Sequence, residues 1–399
     1  MVAAVAHVAP FAPNRRAVGW WLVALALLVA AMVVVGGLTR LTGSGLSITE
    51  WHPVTGAIPP LSAEAWSAEF AKYRHIPQYL YEHRGMSVAE FKTIYWWEWT
   101  HRLLGRFIGF AFLLPFLYFA FTRSIARSEW PRMVLLFALG GLQGFVGWWM
   151  VESGLETRVS VSQYRLAIHL GVAILLFGAL LWTAFEYLWG TSRTLRVSTS
   201  PLRGGRNAQH FGWGAAPGPH PDRLAEERSA LRPPRKGEVE KSCPVFQRVG
   251  GWLFLALVYV QMLLGALVAG LHAGLVYNTW PSMDGRVLPE HAFFAQPAWR
   301  NFFENAGLVQ FDHRIGAYLI ALGAGALWLA TRSSGQAKSS ANLLVAIVGV
   351  QIALGIATLV NQAPLVLAAL HQITAVALFA AALWYAFELS RTPYAAESA

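Results

Sequence analysis

Glu98-Trp99-Thr100-His101-Arg102 is the stretch around which this chain is organised. It follows an aromatic segment and opens an apolar run that ends near Phe121. A similar stretch, Gln310-Phe311-Asp312-His313-Arg314, opens another apolar run later in the chain. Ionisable groups at the mouth of a membrane span are costly unless they are paired or serve a function. The two stretches predict a repeated helical bundle, and Glu98 against Gln310 predicts one reacting site and one holding site.

Composition places the chain among membrane proteins. Its 399 residues are 55% hydrophobic and 13% charged, and the mean hydropathy is +0.43. A soluble domain carries about a quarter charged residues. Eight apolar runs are long enough for spanning helices, which need roughly 20 residues. They lie at about 18–39, 97–121, 133–151, 166–189, 250–271, 308–330, 341–360 and 365–389. The sequence therefore predicts an all-α, polytopic membrane protein with eight transmembrane helices.

The net charge of +10 is distributed as a topology signal. If the amino terminus is cytoplasmic, the segments on that side hold most of the Lys and Arg residues, which predicts that both termini are cytoplasmic. This distribution argues against a nucleic-acid partner. The first apolar run follows Arg15-Arg16 and is too long for a typical secretion signal, so we predict an uncleaved span. The single cysteine, Cys243, excludes an intramolecular disulfide.

The four-span pattern occurs twice, and the repeat is visible in residues as well as in hydropathy. Gln143-x-x-x-Gly147 returns as Gln351-x-x-x-Gly355, and Leu166-Ala167-Ile168-His169 returns as Ala368-Ala369-Leu370-His371. Four spans is an even number, so both copies have the same orientation in the membrane. We predict two four-helix bundles related by a pseudo-twofold axis along the membrane normal.

The repeat divides the chain into three parts. The amino-terminal bundle is predicted at 1–189 and the carboxyl-terminal bundle at 247–399. The proline-rich stretch 190–246 between them is predicted to be a cytoplasmic, largely disordered linker. The outer loop at 40–94 is predicted to carry short amphipathic helices over Ala65–Phe91 that lie at the membrane interface.

Four histidines share one position in the repeat, the outer end of an even-numbered span. They are His101, His169, His313 and His371. Two imidazoles that converge from facing helices of a bundle are the axial-ligand arrangement for heme iron. A single histidine at a helix end is more often just an interfacial polar residue, but four at equivalent positions favour ligation. No cysteine or carboxylate set accompanies them, which disfavours zinc and carboxylate-bridged metal pairs.

Charged residues beside these histidines have two interpretations each. Arg102 and Arg314 either neutralise heme propionates or extend to lipid headgroups, and the sequence does not separate the two. Glu98 is either a solvated interfacial carboxylate or a group that exchanges protons beside a heme. Its spacing to His101 and its replacement by Gln310 favour the second interpretation.

Five stretches together carry a family resemblance that covers nearly the whole chain outside 190–246. They are Gly37-Leu38-Thr39-Arg40-Leu41-Thr42-Gly43-Ser44-Gly45-Leu46-Ser47, Glu98-Trp99-Thr100-His101-Arg102, Asn278-Thr279-Trp280-Pro281-x-Met283-Asp284-Gly285, Asp312-His313-Arg314 and His371-Gln372. In these residues the chain resembles the heme A synthase family. The resemblance implies oxidation of the C8 methyl group of heme O to the formyl group of heme A, by two hydroxylations and loss of water.

The resemblance also implies roles for the candidate residues. His313 and His371, with Arg314, would bind a resident heme b, and His101 and His169, with Arg102, would bind the substrate heme O. Glu98 would be the carboxylate needed for turnover. The implied setting is the bacterial inner membrane, with membrane lipid, heme O synthase, an electron donor such as ferredoxin and further copies of the chain as partners. The outer cysteine pair of some family members is absent here, so a thiol relay cannot operate.

Two other classes of function compete with this one. A two-heme electron-transfer protein of the cytochrome b type would use the same four histidines without substrate chemistry, but it has no evident need for Glu98 in one half only. A transporter would have polar or broken helices near mid-membrane. The spans here are apolar at mid-depth, which disfavours that class.

Overall fold

A computed structural model describes residues 14–190, 245–334 and 337–391. In these ranges, eight helices are long and apolar enough to cross a membrane, as predicted. They are α1 Arg15–Leu41, α4 Val88–Phe121, α5 Trp130–Glu152, α6 Gln163–Trp189, α7 Val245–Gly270, α9 Ala306–Ser334, α10 Lys338–Val360 and α11 Leu365–Arg391. The short helix α8, Asn301–Glu304, lies between α7 and α9. Nearly all of the predicted linker lies outside the described residues, and its predicted disorder stays a prediction.

Helix α4 begins at Val88, well before the predicted start at residue 97. Ser87 caps the helix: its Oγ accepts from the Glu90 backbone N–H at 3.3 Å, and the Glu90 carboxylate accepts from the Ser87 N–H at 2.8 Å. This reciprocal capping fixes the helix start in a polar segment that hydropathy alone does not mark. His101 therefore lies well inside a continuous helix, whose first turns precede the predicted apolar run.

Corresponding helices pack together in the two halves. In the first half α1 contacts α4 and α6, and α5 contacts α4 and α6. In the second half α7 contacts α9 and α11, and α10 contacts the same two helices. The halves meet where α6 packs on α7 and α1 packs on α11. These contacts are the ones that two four-helix bundles would make, and the division into two bundles and their symmetry axis stay predictions.

The two halves share one buried hydrophobic cluster. Rings cross the boundary at Phe177 and Phe379, whose centroids are 6.2 Å apart, and at Phe185 and Trp384, at 4.9 Å. Close to the histidines, the Gln372 amide donates to the Val33 carbonyl at 2.7 Å. This bond ties the helix of His371 directly to α1 of the other half.

The outer loop of the first half has its own small core. Two short helices, α2 Ala63–Tyr73 and α3 Pro77–Tyr81, fold over the start of α4. Their aromatic side chains stack on it: the Trp66 and Tyr95 ring centroids are 4.9 Å apart, and those of Phe70 and Phe91 are 5.0 Å apart. The short helices were predicted correctly, but their apolar faces are buried against α4. The last residues of the predicted Ala65–Phe91 stretch belong to α4 itself.

An outer contact between the halves involves His272, which the sequence left without a role. Its Nε2 lies 2.7 Å from Nη2 of Arg40, and the same guanidinium nitrogen donates to the Ala269 carbonyl at 3.2 Å. Burial, together with the positive charge of Arg40, lowers the pKa of His272 below its ordinary value. A neutral His272 is therefore the acceptor in this contact.

Acidification is expected to weaken this contact. Because folding lowers the pKa of His272, its contribution to stability is complete above the ordinary histidine pKa and is lost as the pH falls through the lowered value. The melting temperature of purified protein should fall with pH in this range, and His272→Gln should reduce the fall because the amide stays neutral. The effect should be small, since His272 is partly exposed. Identical pH profiles in the two proteins would contradict this assignment.

Candidate functional site

Each of the four candidate histidines lies against a glycine of a neighbouring helix. The pairs are His101 with Gly36, His169 with Gly147, His313 with Gly265 and His371 with Gly355. A methyl group on the glycine would lie 2.9 Å from the ring Cε1 in three pairs and 3.3 Å in the pair with Gly265. Contacts below 3.0 Å essentially never occur, so glycine provides the space for the rings. All four rings are therefore oriented into the bundles in the same way.

The histidines of each half approach one another, as predicted. The rings of His313 and His371 have centroids 6.5 Å apart and planes inclined at 76°. His101 and His169 are close enough for the charge on one to act on the other. Within the described residues, no group of three or more His, Cys, Asp and Glu side chains forms a metal cluster. The arrangement is two separate imidazole pairs.

Three of the four histidines are supported by a glutamine one helical turn before the glycine. Gln143 donates to the His169 carbonyl at 3.0 Å, and Gln261 donates to the His313 carbonyl at 2.8 Å. In both cases the amide nitrogen also lies 3.1 Å from the ring Nδ1. Gln351 lies 3.4 Å from Nε2 of His371. The sequence analysis matched the other two glutamines but missed Gln261-x-x-x-Gly265, which has the same spacing.

Unpartnered polar atoms at these pairs fit ligation of heme iron. The Nδ1 atoms of His101 and His371 are buried without a partner in the described part of the chain, as are the amide oxygens of Gln143, Gln261 and Gln351. When an imidazole binds metal through Nε2, its Nδ1 carries a proton and needs an acceptor. An amide oxygen of a supporting glutamine can serve, because the oxygen and nitrogen of an amide exchange by rotation. The residues present therefore fit a bis-histidine heme.

Glu98 is buried, with 3% exposure, and both of its oxygens accept hydrogen bonds. Oε2 accepts from the Ser47 hydroxyl at 2.8 Å and from the Ile48 N–H at 2.9 Å. Oε1 accepts from Nε and Nη2 of Arg102 at 3.1 and 2.6 Å. Arg102 also donates to the carbonyls of Ile48 and Glu50. Glu98 and Arg102 together hold the 47–50 segment against α4.

Gln310 and Arg314 form the corresponding contact in the second half. Gln310 Nε2 and Arg314 Nη2 each donate to the Tyr277 carbonyl at 3.1 Å. Arg314 also donates to the carbonyls of Pro281 and Ser282, and its Nε is buried without a partner in the described residues. Both arginines therefore bind the outer loops through backbone carbonyls, a role that the sequence analysis did not consider.

The Glu98 and Gln310 difference has a local structural basis. The segment facing Glu98 presents two donors, the Ser47 hydroxyl and the Ile48 N–H, and a carboxylate accepts both. The segment facing Gln310 presents the Tyr277 carbonyl, which requires a donor. The two positions are therefore matched to the polarity of their loops, whichever of them takes part in chemistry.

A cavity of about 320 Å³ lies beside α4 in the first half, lined in part by Tyr95, Arg102 and Arg106. Arg106 donates to the carbonyls of His52 and Pro53. Its Nη1 is buried and has no partner within the described residues. Arg106 was not among the predicted site residues, although Arg106 lies one helical turn after Arg102 and is a charged residue on a membrane helix.

Adding a methyl group at these glycines should displace the rings more where less space is available. Gly355→Ala is expected to cost about 1–3 kcal/mol of stability and to reduce heme content, because the new Cβ would lie 2.9 Å from His371 Cε1. Gly265→Ala should have a smaller effect, since its distance is 3.3 Å. Heme content per protein and thermal unfolding measure both effects. Gly349→Ala on the same helix, where nothing lies within 4 Å of the new Cβ, is the control and should leave heme content unchanged.

The fold and these pairs define a class: a polytopic, all-helical membrane protein with two imidazole pairs inside two similar bundles. The chain belongs to the COX15-CtaA family, described as cytochrome oxidase assembly proteins, whose model matches residues 19–214 and 231–383. This membership accounts for both halves of the chain.

Named relatives match along nearly the whole chain. Heme A synthase of Parvibaculum lavamentivorans is 47% identical over 378 residues, which is 95% of this chain and 96% of the relative. Heme A synthase of Bradyrhizobium diazoefficiens is 47% identical over 94% of this chain and 92% of its own length. Heme A synthase of Paracoccus denitrificans is 45% identical over 92% of this chain and 86% of its own length.

Proposed function

We propose that this protein is an oxidoreductase that converts the C8 methyl group of heme O to the formyl group of heme A. The relatives that match it at 45–47% identity are named for heme A synthesis, and they match both halves. The structural observation that carries the proposal is the presence of two half-buried imidazole pairs, with a buried carboxylate three residues before one of the imidazoles. That asymmetry suits one processed heme and one retained heme.

The carboxyl-terminal pair is the proposed site of the retained heme b. His313 and His371 face each other at 6.5 Å between ring centroids, and a supporting glutamine lies at each of them. Such support fixes the orientation of a ligand and favours retention. Arg314, whose Nε has no partner within the described residues, is the proposed contact for a propionate. A bound heme would supply one-electron redox chemistry at this site.

The amino-terminal pair, His101 and His169, is the proposed site of the substrate heme O. The cavity beside Arg102 and Arg106 is also lined by Glu50 and Glu69 and lies against the helix that carries His101. Within the described residues, Nη1 of Arg106 is a donor without a partner there. The cavity can receive the anionic edge of a porphyrin. Arg102 also donates to the Glu98 carboxylate, so an anion that binds Arg102 would change the hydrogen bonding of Glu98 directly.

Glu98 is the proposed carboxylate needed for turnover. Oxidation of a methyl group moves protons as well as electrons, and a carboxylate three residues before His101 can take up or deliver them. Both of its oxygens are occupied, so a proton reaches Glu98 only when a donor shifts. The Ser47 hydroxyl, at 2.8 Å, can both donate and accept and is the donor suited to pass a proton outward.

The proposed setting is the bacterial inner membrane, with both termini in the cytoplasm. The supporting observation is the excess of Lys and Arg in the segments assigned to that side. If molecular oxygen is the oxidant, each hydroxylation also needs an electron donor, and a ferredoxin-type protein on the cytoplasmic side is the proposed one. Heme O synthase is the proposed supplier of the substrate.

Expression in a host that makes heme O but no heme A tests the proposal. Extracted pigments are separated by chromatography, and heme A is expected only in cells that carry the intact gene. A variant with His101→Ala and His169→Ala serves as the matched control and should yield none. Well-folded, heme-loaded protein without heme A would overturn the proposal and favour the electron-transfer class.

A further inference from the structure

The support of the histidines is incomplete at one of the four positions. His169, His313 and His371 each have a glutamine four residues before the glycine that contacts the ring. At His101 the glycine is Gly36, and the residue four positions before it is Met32. Helix α1 contains no glutamine or asparagine at all, so it offers no side-chain amide. The Nδ1 of His101 is buried without a partner among the described residues.

A second residue difference accompanies the first. In the carboxyl-terminal half, the Gln261 amide oxygen occupies the space that a side chain on Gly316 would fill, since a Cβ there would lie 2.0 Å from it. Gly316 lies three positions after His313, and the residue three positions after His101 is Leu104. The methyl end of Met32 instead lies 3.5 Å from where a Cβ on Gly105 would stand. In the first half, Met32 thus stands in place of Gln261, and Leu104 stands in place of the glycine that leaves room for the Gln261 amide.

This substitution has a physical consequence for the ring. A hydrogen bond to Nδ1 fixes the tautomer and orientation of a ligating imidazole, and its loss typically costs about 10–100-fold in metal affinity. Met is flexible and has no donor, so it allows the ring to turn. Within the described residues, His101 is therefore the candidate ligand with no glutamine in hydrogen-bond contact with its ring; at His371, where Nδ1 also lacks a partner, Gln351 lies 3.4 Å from Nε2.

We propose that Met32 and Leu104 make His101 the release point of the amino-terminal heme site, so that heme leaves this site faster than the carboxyl-terminal one. The inference rests on the proposed function in that it takes both imidazole pairs as heme sites. It adds that substrate exchange is set by the residues behind the ligand rather than by the ligand itself. Met32 and Leu104 are positioning residues, since neither needs to touch the heme.

The test exchanges the two pairs of residues in the full-length protein. Purified protein is loaded with ferric heme b, and release to excess apomyoglobin is followed by absorbance. The native protein should show a fast and a slow phase, and the fast phase should persist alone in a variant with His313→Ala and His371→Ala. The double variant Met32→Gln with Leu104→Gly should slow the fast phase about tenfold.

The reverse exchange, Gln261→Met with Gly316→Leu, should speed the slow phase by a similar factor and leave the fast phase unchanged. Leu104→Gly alone is the control for the lost side chain and should not slow release. An unchanged fast phase in the loaded Met32→Gln, Leu104→Gly protein would overturn the inference. If that protein does not load, failure of the reverse exchange to speed the slow phase overturns it.

Failure of the inference is distinguishable from failure of the proposed function. If cells form heme A but neither exchange of residues changes the release rates, the proposed function stands and the inference is wrong. If both exchanges change the release rates as expected but cells form no heme A, the inference stands and the proposed function is wrong.

Discussion

Glu98→Gln is expected to reduce heme A formation by about a hundredfold or more while the protein keeps its retained heme. Removing a group that transfers protons typically costs 10²–10⁴-fold in rate, and Gln cannot act in that way. Glutamine also turns two acceptor oxygens into one, so the Ser47 hydroxyl and the Ile48 N–H would compete with Arg102 for it. Heme A yield and heme content per protein are the two measurements.

The mirror substitution is the matched control. Gln310→Glu would place a carboxylate against the Tyr277 carbonyl, where a donor is required. It should weaken loop attachment in the second half, seen as a lower melting temperature, without the large loss of product expected from Glu98→Gln. Unchanged product yield in Glu98→Gln would show that Glu98 only fastens the 47–50 segment. Glu98→Asp should restore part of the activity if the carboxylate itself is needed.

His371→Ala is expected to remove the retained heme and with it all heme A formation. The imidazole is one of the two proposed ligands in its pair, and its ring fills the space against Gly355, so the variant would lose both the proposed ligand and the packing. The heme that stays with purified protein, quantified per chain, should fall to a small fraction of the native value. Product in the heme O-producing host should fall below detection.

His169→Ala tests whether the two halves bind different hemes. It should abolish product as well, yet leave the retained heme in place, because its ring belongs to the other pair. His75→Ala, at an exposed outer-loop position, should change neither quantity. Loss of the retained heme in His169→Ala but not in His371→Ala would reverse the proposed assignment of the two sites.

Hydropathy was sufficient to predict the eight spans, because a spanning helix must satisfy its backbone internally and present apolar side chains over its length. It failed at the start of α4, which depends on a hydrogen-bonded cap at Ser87 and Glu90 rather than on apolar side chains. The Ser-x-x-Glu spacing that marks this cap was present in the sequence. The burial of α2 against α4 depends on tertiary contacts between aromatic rings, and no local pattern distinguishes that from an interfacial helix.

The histidines could be found from the repeat because each recurs at a fixed position. The glycines that contact two of the rings, Gly147 and Gly355, could be found for the same reason. Gln261-x-x-x-Gly265 was not predicted, because its counterpart in the first half, Met32-x-x-x-Gly36, lacks the glutamine and the motif does not recur. The carbonyl partners of Arg102 and Arg314 could not be predicted, since loop folding brings them close. The bond between Arg102 and Glu98 joins residues four apart on one helix, a spacing that is visible in the sequence.

A structure of the heme-loaded protein at atomic resolution tests the central claim most directly. The account predicts one iron between His101 and His169 and a second between His313 and His371, each bound through imidazole nitrogens. Iron bound by other residues, or a porphyrin lying outside both bundles with these four rings uncoordinated, would contradict it.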